Sequence, residues 1–241
     1  MNNHSETLLK IKRFIRNTPL NRNYIADLSL KKRIIETIPH VKGHVLDVGC
    51  GEKPYEPIFL SNIKKYVGID IPNAHIFYSP NISADVYGNA CYLPFSSETF
   101  DTLLCIEVLP HIDKPSLAFS EFARVLKPGG NLIVTADKSW EERTGLPVPD
   151  YWRFTGEGVA ILSRQQGLTV LYTKQGCGFF ATIGQLLARF LNKELIYRKA
   201  LHKGIDREPN ILVAFFIIPI IALVQIFFLL LDKIYYSSVV S

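Results

Sequence analysis

The sequence predicts an α/β fold, a doubly wound parallel sheet with a long hydrophobic helix near its C-terminal end. Three observations predict it. Short apolar runs recur at 45–48, 66–71, 102–106 and 131–136, the first ending in glycines and the second containing an acid. Helix-like stretches alternate with them, as in βαβ units whose helices cover both faces of a parallel sheet. In residues 211–231 only Pro219 and Gln225 fall outside the hydrophobic set, and no charge interrupts the run.

The elements follow in order. Residues 28–38 have helical spacing, with Asp27 placed to cap the helix and Pro39 to close it. The run 45–48 is a buried strand followed by a glycine turn, and 66–71 and 102–106 repeat the pattern. Residues 115–126 read as a helix, Pro128-Gly129-Gly130 as the turn after it, and 131–136 as the next strand. Thr155 is expected to cap a helix to Gln166, stopped by Gly167, with a further strand at 168–172. Residues 179–191 are apolar but broken by Thr182, Gln185 and Arg189, hence amphipathic. A basic connector with Lys193, Arg198, Lys199, Lys203 and Arg207 leads to the apolar run. The expected organisation is an N-terminal helical region (1–39), a ligand-binding domain (40–176), a connector (177–210), a membrane segment (211–231) and a short tail (232–241).

The 241 residues are 48% hydrophobic and 20% charged, enough for a sizeable core and too mixed for a disordered chain. The apolar run alone lifts the mean hydropathy to +0.14. A net charge of +5 permits anionic partners without selecting one, and no nucleic acid is expected. Cys50, Cys91, Cys105 and Cys177 form no CxxC pair, so neither a disulfide framework nor a metal centre is expected. No secretory signal is expected from the polar, charged first residues.

In an open parallel sheet, ligands bind beyond the carboxyl ends of the strands. Here that turn is Asp47-Val-Gly49-Cys-Gly51-Glu-Lys-Pro54. Gly49 and Gly51 allow backbone to approach a ligand closely. A dinucleotide fingerprint would need a third glycine where Pro54 stands, which disfavours a nicotinamide-dependent oxidoreductase. An acid two positions before Gly49 suits a cationic amine, and Asp70 at the end of the next strand suits ribose hydroxyls. The ligand implied is a ribonucleoside carrying positive charge.

These residues resemble the class I S-adenosylmethionine-dependent methyltransferases. The resemblance rests on Val45-Leu-Asp-Val-Gly-Cys-Gly51, Val67-Gly-Ile-Asp70, Leu93-Pro-Phe95, Phe100-Asp101, Val108-Leu-Pro-His111 and Arg124-Val-Leu-Lys-Pro-Gly-Gly130. It covers roughly residues 40–175 and implies a Rossmann-like sheet with S-adenosylmethionine as cofactor. It also implies Asp47, Gly49 and Gly51 at the methionine end, Asp70 on the ribose, and Asn89 and Ala90 at the adenine. Asn89 stands where the family commonly has an acid, so its contact with the adenine amine lacks charge. Pro110 replaces another common acid. The family's seventh strand is expected to be missing, or poorly supplied by the tail.

Methyl transfer is an in-line displacement, so positioning the acceptor supplies much of the rate, and a protic acceptor also needs a base. His111 is the candidate base, with a plain loop hydrogen bond as its other reading. Glu107 lies at the same strand end, either on the ligands or as a local charge. Tyr151, Trp152 and Arg153 form a candidate acceptor wall, in which Arg153 pairs either an anionic group or Asp150. This stretch and Gly178-Phe-Phe180 resemble a subgroup associated with cell-surface glycan or glycolipid synthesis.

As a helix, the 21-residue apolar run would reach about 31 Å, one hydrocarbon core. Five basic residues precede it from Lys193 onward and Lys233 alone follows, which orients the domain to the cytoplasm. Pro219 would kink a spanning helix or divide the run. Residues 179–191 and the basic stretch 8–16, with Leu8, Ile11 and Ile15 on one side, both suit a membrane surface, although for 8–16 a helix packing over the cofactor site is the expectation. The reading is a membrane-attached methyltransferase acting on a lipid-linked or glycan-pathway acceptor, with the bilayer as its partner. The competing reading is a non-catalytic, membrane-anchored module that binds the same cofactor.

Overall fold

A computed structural model describes residues 17–74, 82–136, 149–196 and 211–239. The chain divides into two compact units, residues 34–174 and residues 1–33 with 175–241.

The first unit is built on five parallel strands in the order β3-β2-β1-β4-β5. They are β1 (Gly43–Val48), β2 (Ile63–Asp70), β3 (Val86–Tyr87), β4 (Phe100–Ile106) and β5 (Leu126–Thr135). That order reverses at β1, and the crevice beyond the strand ends at such a reversal is where open α/β sheets bind ligands. Val45, Leu46, Leu103, Leu104 and Cys105 are fully buried, as central strands covered on both faces require. Against Leu46, Val48, Leu103 and Cys105 pack Phe119, Phe122 and Val125 of a helix (Pro115–Val125) that returns the chain from β4 to β5. Pro115 opens that helix, where a missing N–H costs nothing.

In chain order the helices are α1 (Tyr24–Glu36), α2 (Glu56–Phe59), α3 (Pro115–Val125), α4 (Gly156–Arg164), α5 (Phe179–Leu191) and α6 (Ile211–Val239). Thr155 caps α4 as expected, its Oγ1 accepting from the Gly158 N–H at 3.0 Å. Gly167 stops it in the left-handed region (φ +76°), while the Leu168 N–H reaches back to the Ser163 carbonyl at 3.2 Å.

Several expectations are corrected. The first helix begins at Tyr24, not after Asp27, which sits in its first turn and accepts from Asn21 Nδ2 at 3.0 Å. An acid there complements the positive end of the helix dipole. Pro39 lies in a separate 3₁₀ turn, Ile38–His40. Pro128-Gly129-Gly130 is no turn between elements but a bulge within β5. Pairing slips from Phe100↔Leu126 to Thr102↔Asn131, with Gly129 at φ +72°. Residues 168–172 make no ladder, and Leu171 is 69% exposed. Strand-forming side chains become a strand only beside a partner edge. The expectation for the seventh strand is not among these corrections: among the described residues none forms, and α6 continues through most of the expected tail to Val239. The expected helix at 8–16, and the connector from residue 197 to 210, lie outside the described residues.

The second unit is helical. Gly184 of α5 lies so near α6 that a Cβ there would be 2.5 Å from Phe228 Cβ. Two glutamines interrupt these apolar helices, and both cap α1. Gln225 Oε1 accepts from the Ile25 N–H at 3.3 Å, while its Nε2 donates to the Pro19 and Asn21 carbonyls, each at 2.8 Å. Gln185 Oε1 accepts from the Ala26 N–H at 3.0 Å, and its Nε2 donates to the Arg22 carbonyl at 2.6 Å. First-turn N–H groups have no partner within their own helix, so these amides supply what a local cap would otherwise provide. Asp232 of α6 accepts from the Ala181 N–H at the start of α5 in the same way.

Candidate active site

The carboxyl ends of β1 and β2 are tied into one piece. Gly49 and Cys50 donate backbone N–H bonds to the Ile69 carbonyl, at 2.8 and 3.2 Å. Gly51 N–H donates to Asp70 Oδ2 at 2.9 Å, and Ile71 N–H to Asp70 Oδ1 at 2.8 Å. Asp70 therefore braces the glycine turn, and each oxygen retains a lone pair for a further donor such as a hydroxyl.

The two glycines are required for different reasons. Gly49 (φ +71°) lies under β4's exit, where a Cβ would be 2.2 Å from Val108 Cγ2. Gly51 (φ +53°) faces open space, and a Cβ there would meet nothing within 4 Å. Backbone at Gly51 is thus presented bare to the crevice, as close ligand approach needs.

Asp47 lies in β1 itself, only 2% exposed. Burial pushes its carboxyl up to about 7, partly opposed by the Tyr66 hydroxyl, which donates to Oδ2 at 2.6 Å. The nearby Asp70 charge adds to the rise and the Lys53 ammonium opposes it. A buried acid poised this way is readily ionised by a nearby cation. Burial, followed by the Asp47 charge, raises the Tyr66 phenol, so that the hydroxyl stays a donor. Burial likewise pushes the Cys50 thiol up to about 12, which favours the neutral thiol over the thiolate.

Sequence reading missed a second brace. Lys53 Nζ lies 2.6 Å from Asp85 Oδ2, which also accepts the Gly68 N–H at 2.7 Å. Partial burial would raise the Asp85 carboxyl, but these hydrogen bonds and the Lys53 charge hold it below its usual value. The Ser83 N–H donates to the Gly51 carbonyl at 2.9 Å, so residues 83–85 secure the turn from the β3 side. Asn89 and Ala90 follow β3. Asn89 Oδ1 accepts from the Cys91 N–H at 2.8 Å, an Asx turn that fixes the amide and leaves a second lone pair on that oxygen.

Glu107 follows β4 directly, in the left-handed region (φ +60°), which is uncommon for a residue bearing a side chain. Thr135 at the end of β5 holds it twice, accepting from the Glu107 N–H at 3.1 Å and donating to Oε1 at 2.7 Å. The backbone twist and the threonine fix the carboxylate at the strand ends.

His111 closes the 3₁₀ turn Leu109–His111, with Nδ1 2.8 Å from the Pro149 carbonyl oxygen. A carbonyl only accepts, so the neutral ring carries its proton on Nδ1 and its basic lone pair on Nε2. The loop hydrogen bond and a base role are therefore compatible. Beside it, the Tyr151 and Trp152 N–H groups donate to the Pro110 carbonyl at 2.9 and 3.3 Å, and Trp152 Nε1 donates to the Ile112 carbonyl at 2.9 Å. The structure brings Tyr151 and Trp152 to the β4 exit, with side chains 51% and 43% exposed. Arg153 makes a bidentate pair with Asp150 at 2.7 and 2.8 Å, the internal one of its two expected partners.

The donor set suits a cationic nucleoside such as S-adenosylmethionine: a poised buried acid beneath a bare turn, and a carboxylate with spare acceptors at the next strand. Among the described residues no cluster of metal-ligating side chains occurs.

Residues 46–134 match a family described as a methyltransferase domain. The O-methyltransferase rstn1 of Aspergillus nomiae is 34% identical over 121 residues, which cover 46% of this chain and 54% of that protein. A ubiquinone biosynthesis O-methyltransferase of Coxiella burnetii is 29% identical over 112 residues, covering 43% of this chain and 48% of that one. The chain thus spans about half the length of the curated relatives it matches. A putative methyltransferase of Bacillus halodurans superposes with a TM-score of 0.45 at 24% identity, over 57% of this chain and 68% of that one. The matched residues run from β1 to β5, so this stretch of the chain is similar to methyltransferase domains, in keeping with the resemblance that its motifs carry.

Proposed function

We propose that the protein transfers a methyl group from S-adenosylmethionine to an oxygen of an acceptor held at a membrane, a lipid-linked or glycan-pathway molecule. The observation carrying the reading is the glycine turn braced by Asp70 at the point where the strand order reverses. In this reading Gly49, Gly51 and Asp47 hold the methionine end, Asp70 the ribose, and Asn89 with Ala90 the adenine. The cofactor, when bound, supplies a methyl carbon already activated by a sulfonium.

The chain's part is to hold the acceptor in line and to take its proton. His111 Nε2 is the base, oriented by the Pro149 carbonyl. Glu107, fixed by Thr135, steadies positive charge near the strand ends. Tyr151 and Trp152 form the acceptor wall, and the Asp150 pair holds Arg153 at its edge. An oxygen acceptor is favoured by the O-methyltransferase names of the relatives.

Membrane attachment is supported by α6, whose Leu212–Tyr236 stretch is long and apolar enough to enter a bilayer, with 11% of its most apolar window buried inside the protein. The basic connector supports a catalytic domain on the cytoplasmic side, where the anionic leaflet attracts Lys and Arg. The test is turnover of methyl-labelled cofactor with a membrane extract. Label in an extractable lipid or glycan is the expected result. Cofactor binding without any labelled product would favour the non-catalytic module instead.

A further inference from the structure

The helical unit suggests not only that α6 meets a bilayer but how. We propose that α6 lies in the plane of an anionic membrane, sunk into one leaflet along its length, and does not span it. This rests on the membrane attachment proposed above.

Three observations carry it. The first is sidedness. Ile221 and Gln225 are fully buried against the rest of the unit. Leu212, Phe216, Ile220, Leu223, Phe227 and Ile234, all 45–79% exposed, mark one stripe at helical spacing from end to end. A helix packed on one side and apolar on the other presents an edge to lie on, not a cylinder to surround with lipid.

The second is what Gln225 holds. It sits beside the midpoint of Leu212–Tyr236, and its amide is bonded to backbone at Pro19, Asn21 and Ile25. If α6 spanned, that backbone and the adjoining Arg22 side chain, which donates to Asn192 Oδ1 at 2.8 Å, would be drawn to the bilayer centre. Irregular backbone and a charge are both strongly disfavoured there. Nor can α5 follow α6 across, since its 13 residues reach about 20 Å against a core of about 30 Å. Lying flat removes both conflicts, because the polar segment then faces water while the stripe faces lipid.

The third is charge. Residues 1–33 and 175–241 hold 15 Lys and Arg against 6 Asp and Glu, a net of +9. Residues 34–174 hold 12 against 16, a net of −4. Such segregation attracts an anionic lipid surface, whereas a second copy docking by the same stripe would bring two cationic units together.

The experiment places a fluorophore on the full chain at Leu212→Cys, Leu223→Cys or Ile234→Cys, each with Cys177→Ser. Vesicles of phosphatidylcholine and phosphatidylglycerol in equal parts carry quenchers at shallow or deep positions on the lipid. The expected result is flotation with the vesicles and the same shallow depth at all three sites. Binding to pure phosphatidylcholine should be at least about tenfold weaker. A deep Leu223 between shallow ends would overturn the in-plane geometry while leaving membrane attachment intact. Absence of both flotation and quenching would overturn attachment itself. A concentration-dependent dimer that ignores vesicles would assign the stripe to a second copy.

Discussion

Replacing Tyr66 by Phe isolates the buried Asp47 carboxylate. Burial pushes the Asp47 carboxyl up to about 7, and the Tyr66 hydroxyl is the strongest influence lowering it. A hydrogen bond to a charged group contributes about 1.5 kcal/mol or more, so its loss should raise the Asp47 pKa by about one unit, to about 8. If a cationic ligand needs Asp47 ionised, its affinity is divided by the ratio of total to ionised Asp47. Tyr66→Phe should then bind S-adenosylmethionine about fivefold more weakly than wild type at pH 7, about tenfold more weakly at pH 6, and equally at pH 9. The sign is fixed: raising the pKa protonates Asp47 at neutral pH, and alkali restores it. Calorimetry on both proteins at each pH reads the ratio, in which the ligand's own titration cancels. A ratio that does not change with pH would refute the reasoning, because Tyr66 would then act by packing alone. Tighter binding by the variant at pH 7 would refute it outright.

Further outcomes follow from the same contacts. Gly49→Ala should cost about 2–3 kcal/mol in denaturant unfolding, from positive φ and the clash with Val108. Adding Val108→Ala should restore only the steric part, and full restoration would remove the φ argument. His111→Gln should lower kcat about 10²–10⁴-fold while leaving cofactor affinity, measured by calorimetry, near wild type. A change under twofold in kcat would leave His111 as a loop fastener only. Gln225→Leu should destabilise the detergent-solubilised full chain by about 2–4 kcal/mol, because an N–H and two carbonyls lose their partner together. A melting temperature at or above wild type would show that this amide does not hold α1.

The ligand-binding half of the fold was legible because its signals are local. The glycine turn, the acid closing β2 and the Thr155 cap each state their conformation within a few residues. What joins them was not legible. Tyr66 reaches Asp47 from nineteen residues away through the register of two parallel strands, and nothing in the string marks it. The Lys53–Asp85 brace has the same character, since it depends on where β3 meets β2. Residues 168–172 misled because strand chemistry is conditional on a free edge. Gln185 and Gln225 looked like blemishes in greasy helices, yet each is the cap of a third helix distant in sequence. A local cap is the default reading of Asp27, whereas the first N–H groups of that helix find their partners on other helices.

The seam between residues 110–112 and 149–152 has a practical consequence for anyone altering the acceptor. Pro149 aims the imidazole, and two residues later the same strip of chain displays the aromatic pair, whose own N–H groups are sewn back to Pro110 and Ile112. With the roles proposed above, selectivity and proton removal are therefore not separate dials. Reshaping the wall at Tyr151 or Trp152 pulls on the thread that points His111, so a change of preferred acceptor should arrive with a changed pH–rate profile. Chains that keep the two independent would need a different stitch.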